Sequence, residues 1–300
     1  MPKTRPACRT TGWMKKRSEG AGLVVLRVGW FSTGRGEGSR GLLDFVQTHI
    51  ARGGLDATID FVFSNRERGE AEGSDGFFQL VGDHGLSLET LSSSRFARSR
   101  AIPFAQVREE FDVRVMEMLA GYQPDICVLA GYMLIVGGAM CRNFPLLNLH
   151  PALPDGPIGT WQQVIWELIG TRAELTGAMV HLATEEVDRG PVVSHCTVPI
   201  AGPGFTPLWD ALSGQDLREV KESAGENLPL FRLIREAEYG KEPYLLLETL
   251  RVISQGKVMV GGGAVLDPSG QAMALTGVMG INLDQEIALA MAQDGVEEGA

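Results

Sequence analysis

The sequence predicts an α/β fold built on a doubly wound, mostly parallel sheet. Three observations predict it. Short apolar runs rich in β-branched residues alternate with stretches of helical spacing. The first of these runs leads directly into a glycine-rich turn and then a helix. No apolar run reaches the roughly 18 residues that a membrane-spanning helix requires, and no internal repeat interrupts the alternation.

The elements follow in order. Leu23–Phe31 reads as a buried strand, Ser32–Arg40 as a glycine-rich loop, and Gly41–Ile50 as a helix with Leu42, Leu43, Val46 and Ile50 at helical spacing. Ala57–Ser64 is the second strand, Phe77–Asp83 a helix stopped by Gly85, and Ser87–Leu91 a third strand. Pro103 opens a helix in which Phe104, Val107, Phe111, Val115, Met118 and Leu119 recur at steps of three and four, giving one apolar face. Pro124 ends it, and Ile126–Ala130 is a central strand. A short helical segment near Val136–Arg142 leads to a strand over Leu146–His150 and a helix over Trp161–Ile169, then strands over Thr176–Ala183 and Pro191–Val198.

The pattern changes after Ala201. Gln215–Glu226 reads as charged and exposed, Leu228–Gln255 as helix broken at Pro243, Lys257–Val265 with its glycine trio as a strand or hairpin, and Asp294–Ala300 as a frayed acidic end. This divides the chain into a disordered basic tail over residues 1–20, a main domain over 21–212 and a helical and β extension over 213–300. The tail carries Lys3, Arg5, Arg9, Lys15, Lys16 and Arg17 against Glu19 alone, without the apolar stretch that a secretion signal needs.

Composition narrows the function. A chain of 300 residues, 44% of them hydrophobic, has ample material for a core, and a net charge of -10 suits small-molecule substrates better than nucleic acid or an anionic membrane. The four cysteines Cys8, Cys127, Cys141 and Cys196 lie far apart with no CxxC pair, and no HxxxH occurs, so nothing supports a metal site. Unpaired cysteines fit a reducing compartment, hence a cytoplasmic location.

In doubly wound sheets ligands gather beyond the carboxyl ends of the strands, which selects the loops Ser32–Arg40, Leu129–Met133 and Asn148–Gly159. Asn148 and His150, two apart on a strand, point to one side, where an amide and an imidazole can donate jointly to a developing oxyanion. The same pair could equally cap the strand end through local hydrogen bonds. Asp188, followed by Gly190 and Pro191, is either a rigidly held proton-relaying carboxylate or a plain turn aspartate. The turn Gly34, Gly36, Gly38, Ser39 and Arg40 can cradle a phosphate through its backbone N–H groups at the helix start, with Arg35 and Arg40 favouring an anion and Glu37 opposing it.

Taken together, Phe63-Ser64-Asn65, Val128-Leu129-Ala130-Gly131-Tyr132-Met133, Asn148-x-His150-Pro151 and Asp188-x-Gly190-Pro191 resemble the folate-dependent formyltransferases, in order, over roughly Val24–Ala201. The resemblance is closest to the branch that formylates glycinamide ribonucleotide. It implies a Rossmann-like catalytic domain over 21–212 with a C-terminal extension, and formyl transfer from the co-substrate 10-formyltetrahydrofolate to an amine in purine synthesis, without a metal. It also implies that Asn148 and a protonated His150 stabilise a tetrahedral intermediate, that Asp188 sets the charge of His150, and that Leu129, Met133, Thr184 and Val187 bind the pterin. Three departures put the acceptor in question. The histidine loop His150-Pro151-Ala152-Leu153-Pro154 is one leucine short of the family's, Leu134 stands where the family has arginine, and the first loop is longer and charged. Hydrolysis of the formyl donor, another amine acceptor, or a non-catalytic folate- or nucleotide-binding role are the competing expectations. The roughly 20 residues before the first strand leave little room for the regulatory domain such hydrolases usually carry.

Overall fold

The computed structural model describes residues 25–273 and 280–297. The basic tail and the first residues of the strand expected from Leu23 lie outside the described residues. In chain order the elements are β1 (Leu26–Phe31), α1 (Glu37–Ala51), β2 (Ala57–Ser64), α2 (Glu72–Asp83), β3 (Leu88–Thr90), α3 (Ser93–Arg100), α4 (Phe104–Met118), β4 (Ile126–Leu129), α5 (Gly138–Asn143) and β5 (Leu146–His150). There follow α6 (Trp161–Thr171), β6 (Leu175–Leu182), β7 (Val192–Pro199), α7 (Thr206–Ala211), α8 (Leu217–Ala224), α9 (Pro229–Ser254), β8 (Met259–Gly261), β9 (Ala264–Leu266), β10 (Ile281–Asn282) and α10 (Asp284–Glu297).

The chain forms two compact units. The first gathers the segments up to Asn148, Leu182–Pro191 and Leu250–Gly277; the second gathers Leu149–His181, Val192–Thr249 and Val278 onward. In the first unit the strand order is β5-β4-β1-β2-β3, with every pair parallel. The chain therefore winds outward from β1 through β2 and β3, then returns beside β1 at β4. A topological switch point opens between the carboxyl ends of β1 and β4, where such sheets bind ligands. Phe31, Phe61, Phe63, Phe96 and Phe111 fill the core, with Phe31–Phe61 and Phe96–Phe111 meeting edge to face at 5.7 and 5.2 Å. Each such pair contributes about 0.5–1.5 kcal/mol beyond its area burial. The apolar stripe of α4 behaves as its spacing predicts, burying Val107, Phe111 and Val115. Between them Asp112 is buried as well.

In the second unit β6 and β7 run antiparallel and β10 joins β7 in parallel. α6 buries Val164, Ile165, Leu168 and Ile169 in a cluster with Trp209, Phe231 and Ile234. Thr160 starts α6 with a reciprocal capping box to Gln163, which satisfies two otherwise orphaned donors. β8 and β9 form an antiparallel hairpin in the first unit.

Several expectations are corrected. α1 begins at Glu37 rather than Gly41, so Gly38, Ser39 and Arg40 occupy its first turn instead of a loop. α2 begins at Glu72, five residues before its apolar stripe shows in the sequence. Pro243 does not break α9, a single helix of 26 residues that runs through it. An interior proline costs roughly 3 kcal/mol, and the fully buried Leu245, Leu246 and Leu247 that follow it offset that cost. Of the acidic end expected to fray over Asp294–Ala300, Asp294–Glu297 continue α10 and the rest lies outside the described residues. α3 and α7 have no counterpart in the sequence reading: both are short, and α3 is made largely of serine and arginine.

Candidate active site

Asn148, half-buried, is the third residue of β5, and His150 is its last. Asp188 lies in the turn joining β6 to β7, with φ of 55°. This left-handed conformation is uncommon for side chains with a Cβ, and aspartate is among the few that tolerate it. The turn is tight: Leu182 N donates to Pro191 O at 2.9 Å, and Thr184 Oγ1 donates to Glu186 O at 2.9 Å. Its outcome is a contact between segments distant in sequence. The Asn148 side-chain amide donates to Asp188 Oδ1 at 3.3 Å.

His150 belongs to the second unit, where its ring is 3% exposed. Its Nε2 lies 3.2 Å from Pro157 O, a bond the ring makes as donor in the Nε2–H tautomer. The His181 ring stands edge-on, 6.2 Å away between centroids. The loop after His150 turns at once, with Ala152 N donating to His150 O at 2.9 Å, and Asp155 takes φ of 63°.

The pterin candidates divide by exposure. Leu129 is 6% exposed and packs in the apolar cluster, so its side chain is core, whereas Met133 is 69% exposed and Val187 49%. Thr184 is half-buried and spends its hydroxyl on the turn. Met133 stands on the loop after β4 and Val187 on the turn between β6 and β7, where Glu185 pairs with Arg142 of α5. Apolar side chains held out at loop tips suit the face of a heteroaromatic ring.

The glycine-rich segment lies at the switch point. Gly34 has φ of 64°, and a Cβ there would sit 2.7 Å from the Phe77 ring, so only glycine fits. Gly36 precedes α1 with no side-chain cap, leaving the first backbone N–H groups of the helix available to an anion. Ser39 and Arg40 follow within the first turn, both half-buried. Arg40 leans toward α2, its Nη1 2.7 Å from where a Cβ on Gly76 would lie.

Two residues outside the expected site set emerge here. Thr33 is buried beside Gly34, and its Oγ1 donates to Asn65 Oδ1 at 2.8 Å while accepting from Met133 N at 2.9 Å. Asp112 accepts from Gly137 N at 2.5 Å, holding the start of α5. Burial pushes its carboxyl up to about 6, opposed by the Gly137 bond and by Arg108. Threonine in a glycine-rich turn and aspartate on an apolar helix face were visible in the sequence, but only the tertiary contacts give them partners. Among the described residues no cluster of three histidine, cysteine, aspartate or glutamate side chains could hold a metal ion, and no helix is long and apolar enough to cross a membrane.

Residues 43–204 match the formyl transferase family. Over 173 residues the chain is 30% identical to the phosphoribosylglycinamide formyltransferase of Escherichia coli (strain K12), covering 56% of this chain and 70% of that one. It is also 28% identical over 145 residues to the formyltetrahydrofolate deformylase of Escherichia coli O6:H1, covering 47% of this chain and 44% of that one. Its fold is similar to the phosphoribosylglycinamide formyltransferase structure from Coxiella burnetii, with a TM-score of 0.59 at 18% identity over 86% of this chain and 99% of that one.

Proposed function

Because this chain belongs to the formyl transferase family, we propose that it moves a formyl group from 10-formyltetrahydrofolate to the amine of glycinamide ribonucleotide, a step of purine biosynthesis. The observation that carries this reading is the hydrogen bond between Asn148 and Asp188, which joins two of the family's motifs at the end of β5.

In this reading the amine nitrogen attacks the formyl carbon and the carbonyl oxygen gains negative charge. The Asn148 amide and a protonated His150 donate to that oxygen; each such donor is worth on the order of a hundredfold or more in rate. Asp188 accepts one amide proton of Asn148 and fixes which way the other points. Its negative charge also favours the protonated imidazole and offers a resting place for the proton that the attacking amine sheds. Collapse of the intermediate breaks the bond from the formyl carbon to the folate nitrogen, which leaves with a proton. No covalent bond to the protein is needed. Met133 and Val187 offer apolar surface to the pterin, and the N–H groups at the start of α1, with Arg40, take the acceptor's phosphate.

A second reading keeps the site and replaces the amine with water, as the similarity to a formyltetrahydrofolate deformylase suggests. Purified protein incubated with 10-formyltetrahydrofolate, with and without glycinamide ribonucleotide, separates the two. Tetrahydrofolate released only with the amine supports transfer. Release without it supports hydrolysis, and no release in either case leaves a non-catalytic binding protein.

A further inference from the structure

Thr33 uses every hydrogen-bonding group it has. Its N–H donates to Gly131 O at 3.1 Å, and its carbonyl accepts from Ser74 Oγ at 3.1 Å. Its hydroxyl accepts from Met133 N at 2.9 Å and donates to Asn65 Oδ1 at 2.8 Å. Asn65 passes the chain on, its Nδ2 donating to Ser93 Oγ at 3.1 Å. Thr33 and Asn65 are each 2% exposed, so neither can exchange these partners for water. Beside the backbone bond to Gly131, one buried hydroxyl therefore links the turn that begins the glycine-rich segment to the Met133 backbone itself, with the end of β2 as its anchor.

We propose that Thr33 is a positioning residue that couples the two substrate loops, so that each substrate binds more tightly when the other is present. The proposal rests on the formyl-transfer reading. A phosphate held by the N–H groups that follow Gly34 orders the turn containing Thr33. Threonine has few χ1 wells, so its hydroxyl either makes both bonds or turns away and loses both. Ordering the turn thus orders the Met133 backbone, and a pterin arriving at that loop meets a surface whose entropy has already been lost. By linkage the effect is the same in the other direction.

The test uses tetrahydrofolate and glycinamide ribonucleotide, a pair with no formyl group to transfer, and measures the dissociation constant of each alone and with the other saturating. In the wild type each ligand should tighten the other at least about fivefold, the low end of ordinary coupling. Thr33→Val, which removes the hydroxyl and leaves the backbone bond to Gly131, should bring the ratio well below the wild-type value and toward one, and Thr33→Ser should restore it. Both ligands binding without mutual effect, or with the same effect in Thr33→Val, overturns the proposal alone. Neither ligand binding the wild type overturns the formyl-transfer reading, and the proposal falls with it. A measurement needing no variant is amide exchange in the wild type. Glycinamide ribonucleotide alone should slow exchange at Met133, and an unchanged rate overturns the coupling.

Discussion

The Asn148 side-chain amide donates to the Asp188 carboxylate at 3.3 Å across 40 residues of sequence. An amide flips easily between its two orientations in solution. A carboxylate partner accepts hydrogen bonds only, so it fixes Nδ2 toward itself. One N–H of Asn148 is thereby committed to Asp188. That arrangement depends on a turn that places a carboxylate in a left-handed backbone conformation.

Gly190 is the part of that turn least able to change. A Cβ at this position would lie 1.7 Å from the backbone oxygen of Leu182 and 3.1 Å from Thr184 Cγ2. The obstacle is the strand backbone itself, which cannot swing aside. Gly190→Ala should destabilise the protein by about 3 kcal/mol or more, the upper end of overpacking costs. Urea unfolding decides the matter, and a variant within about 0.5 kcal/mol of wild type would show that the turn relaxes.

Asp112 offers a contrast between charge and hydrogen bond. Its carboxyl is pushed up to about 6, so at neutral pH the folded protein carries an ion that burial disfavours. Asp112→Asn keeps an acceptor for Gly137 N and removes that penalty, so at pH 8 it should be at least as stable as wild type. Asp112→Ala strands the Gly137 N–H, at a cost of about 1–3 kcal/mol. It should also raise the KM for the folate donor by loosening the loop before α5. Equal destabilisation by the two substitutions would assign the role of Asp112 to packing.

Glu238 sets a pH dependence of stability in the second unit. Fully buried, it accepts from Thr176 Oγ1 at 2.8 Å, and its other oxygen has no hydrogen-bond partner among the described residues. Burial, with a smaller push from Glu242, raises its carboxyl to about 8, while Thr176 and Arg235 pull it down. The folded state therefore keeps a proton that the unfolded chain loses near 4.5. Stability should fall as pH rises from about 4.5 to about 8, by up to ~5 kcal/mol from this group alone. Glu238→Gln cannot ionise and should flatten that slope relative to wild type in unfolding curves measured across this range. Parallel slopes would mean that Glu238 ionises as readily in the fold as in the unfolded chain.

Where one element has one dominant period, the sequence was sufficient. β2 and β5 fall on their expected residues because both are short runs bounded by clear breaks. The stripe on α4 needs no partner to be recognised. The first turns of α1 and α2 do not show in the sequence because, Arg40 apart, they consist of glycine, serine and acidic residues, whose local preference is for turns. In the candidate site, Asn148, His150 and Asp188 stand out in the sequence as motif positions, but the hydrogen bond between Asn148 and Asp188 does not. Nor do Thr33 and Asp112, whose roles come from partners far away in sequence.

Asp188→Asn tests the proposed chemistry most directly. Asparagine tolerates positive φ as aspartate does, so the turn should keep its shape and the change should be one of charge. His150 helps an oxyanion only when protonated, whereas an ordinary histidine is mostly neutral at pH 7. A negative charge in the site favours the imidazolium, so removing it should move the basic limb of the rate profile to lower pH. The amine must be unprotonated to attack, which sets the acidic limb and does not involve Asp188. The variant keeps a carbonyl oxygen that can accept from Asn148, but it loses the site that receives the amine's proton. The maximal rate should fall by about two orders of magnitude or more, the range typical of losing a proton-transfer group. The measurement is the rate of formyl transfer against pH at saturating donor, for wild type and variant, with circular dichroism to confirm that both are folded. A near-normal rate with an unmoved basic limb would reduce Asp188 to a turn residue and take the proton relay out of the mechanism.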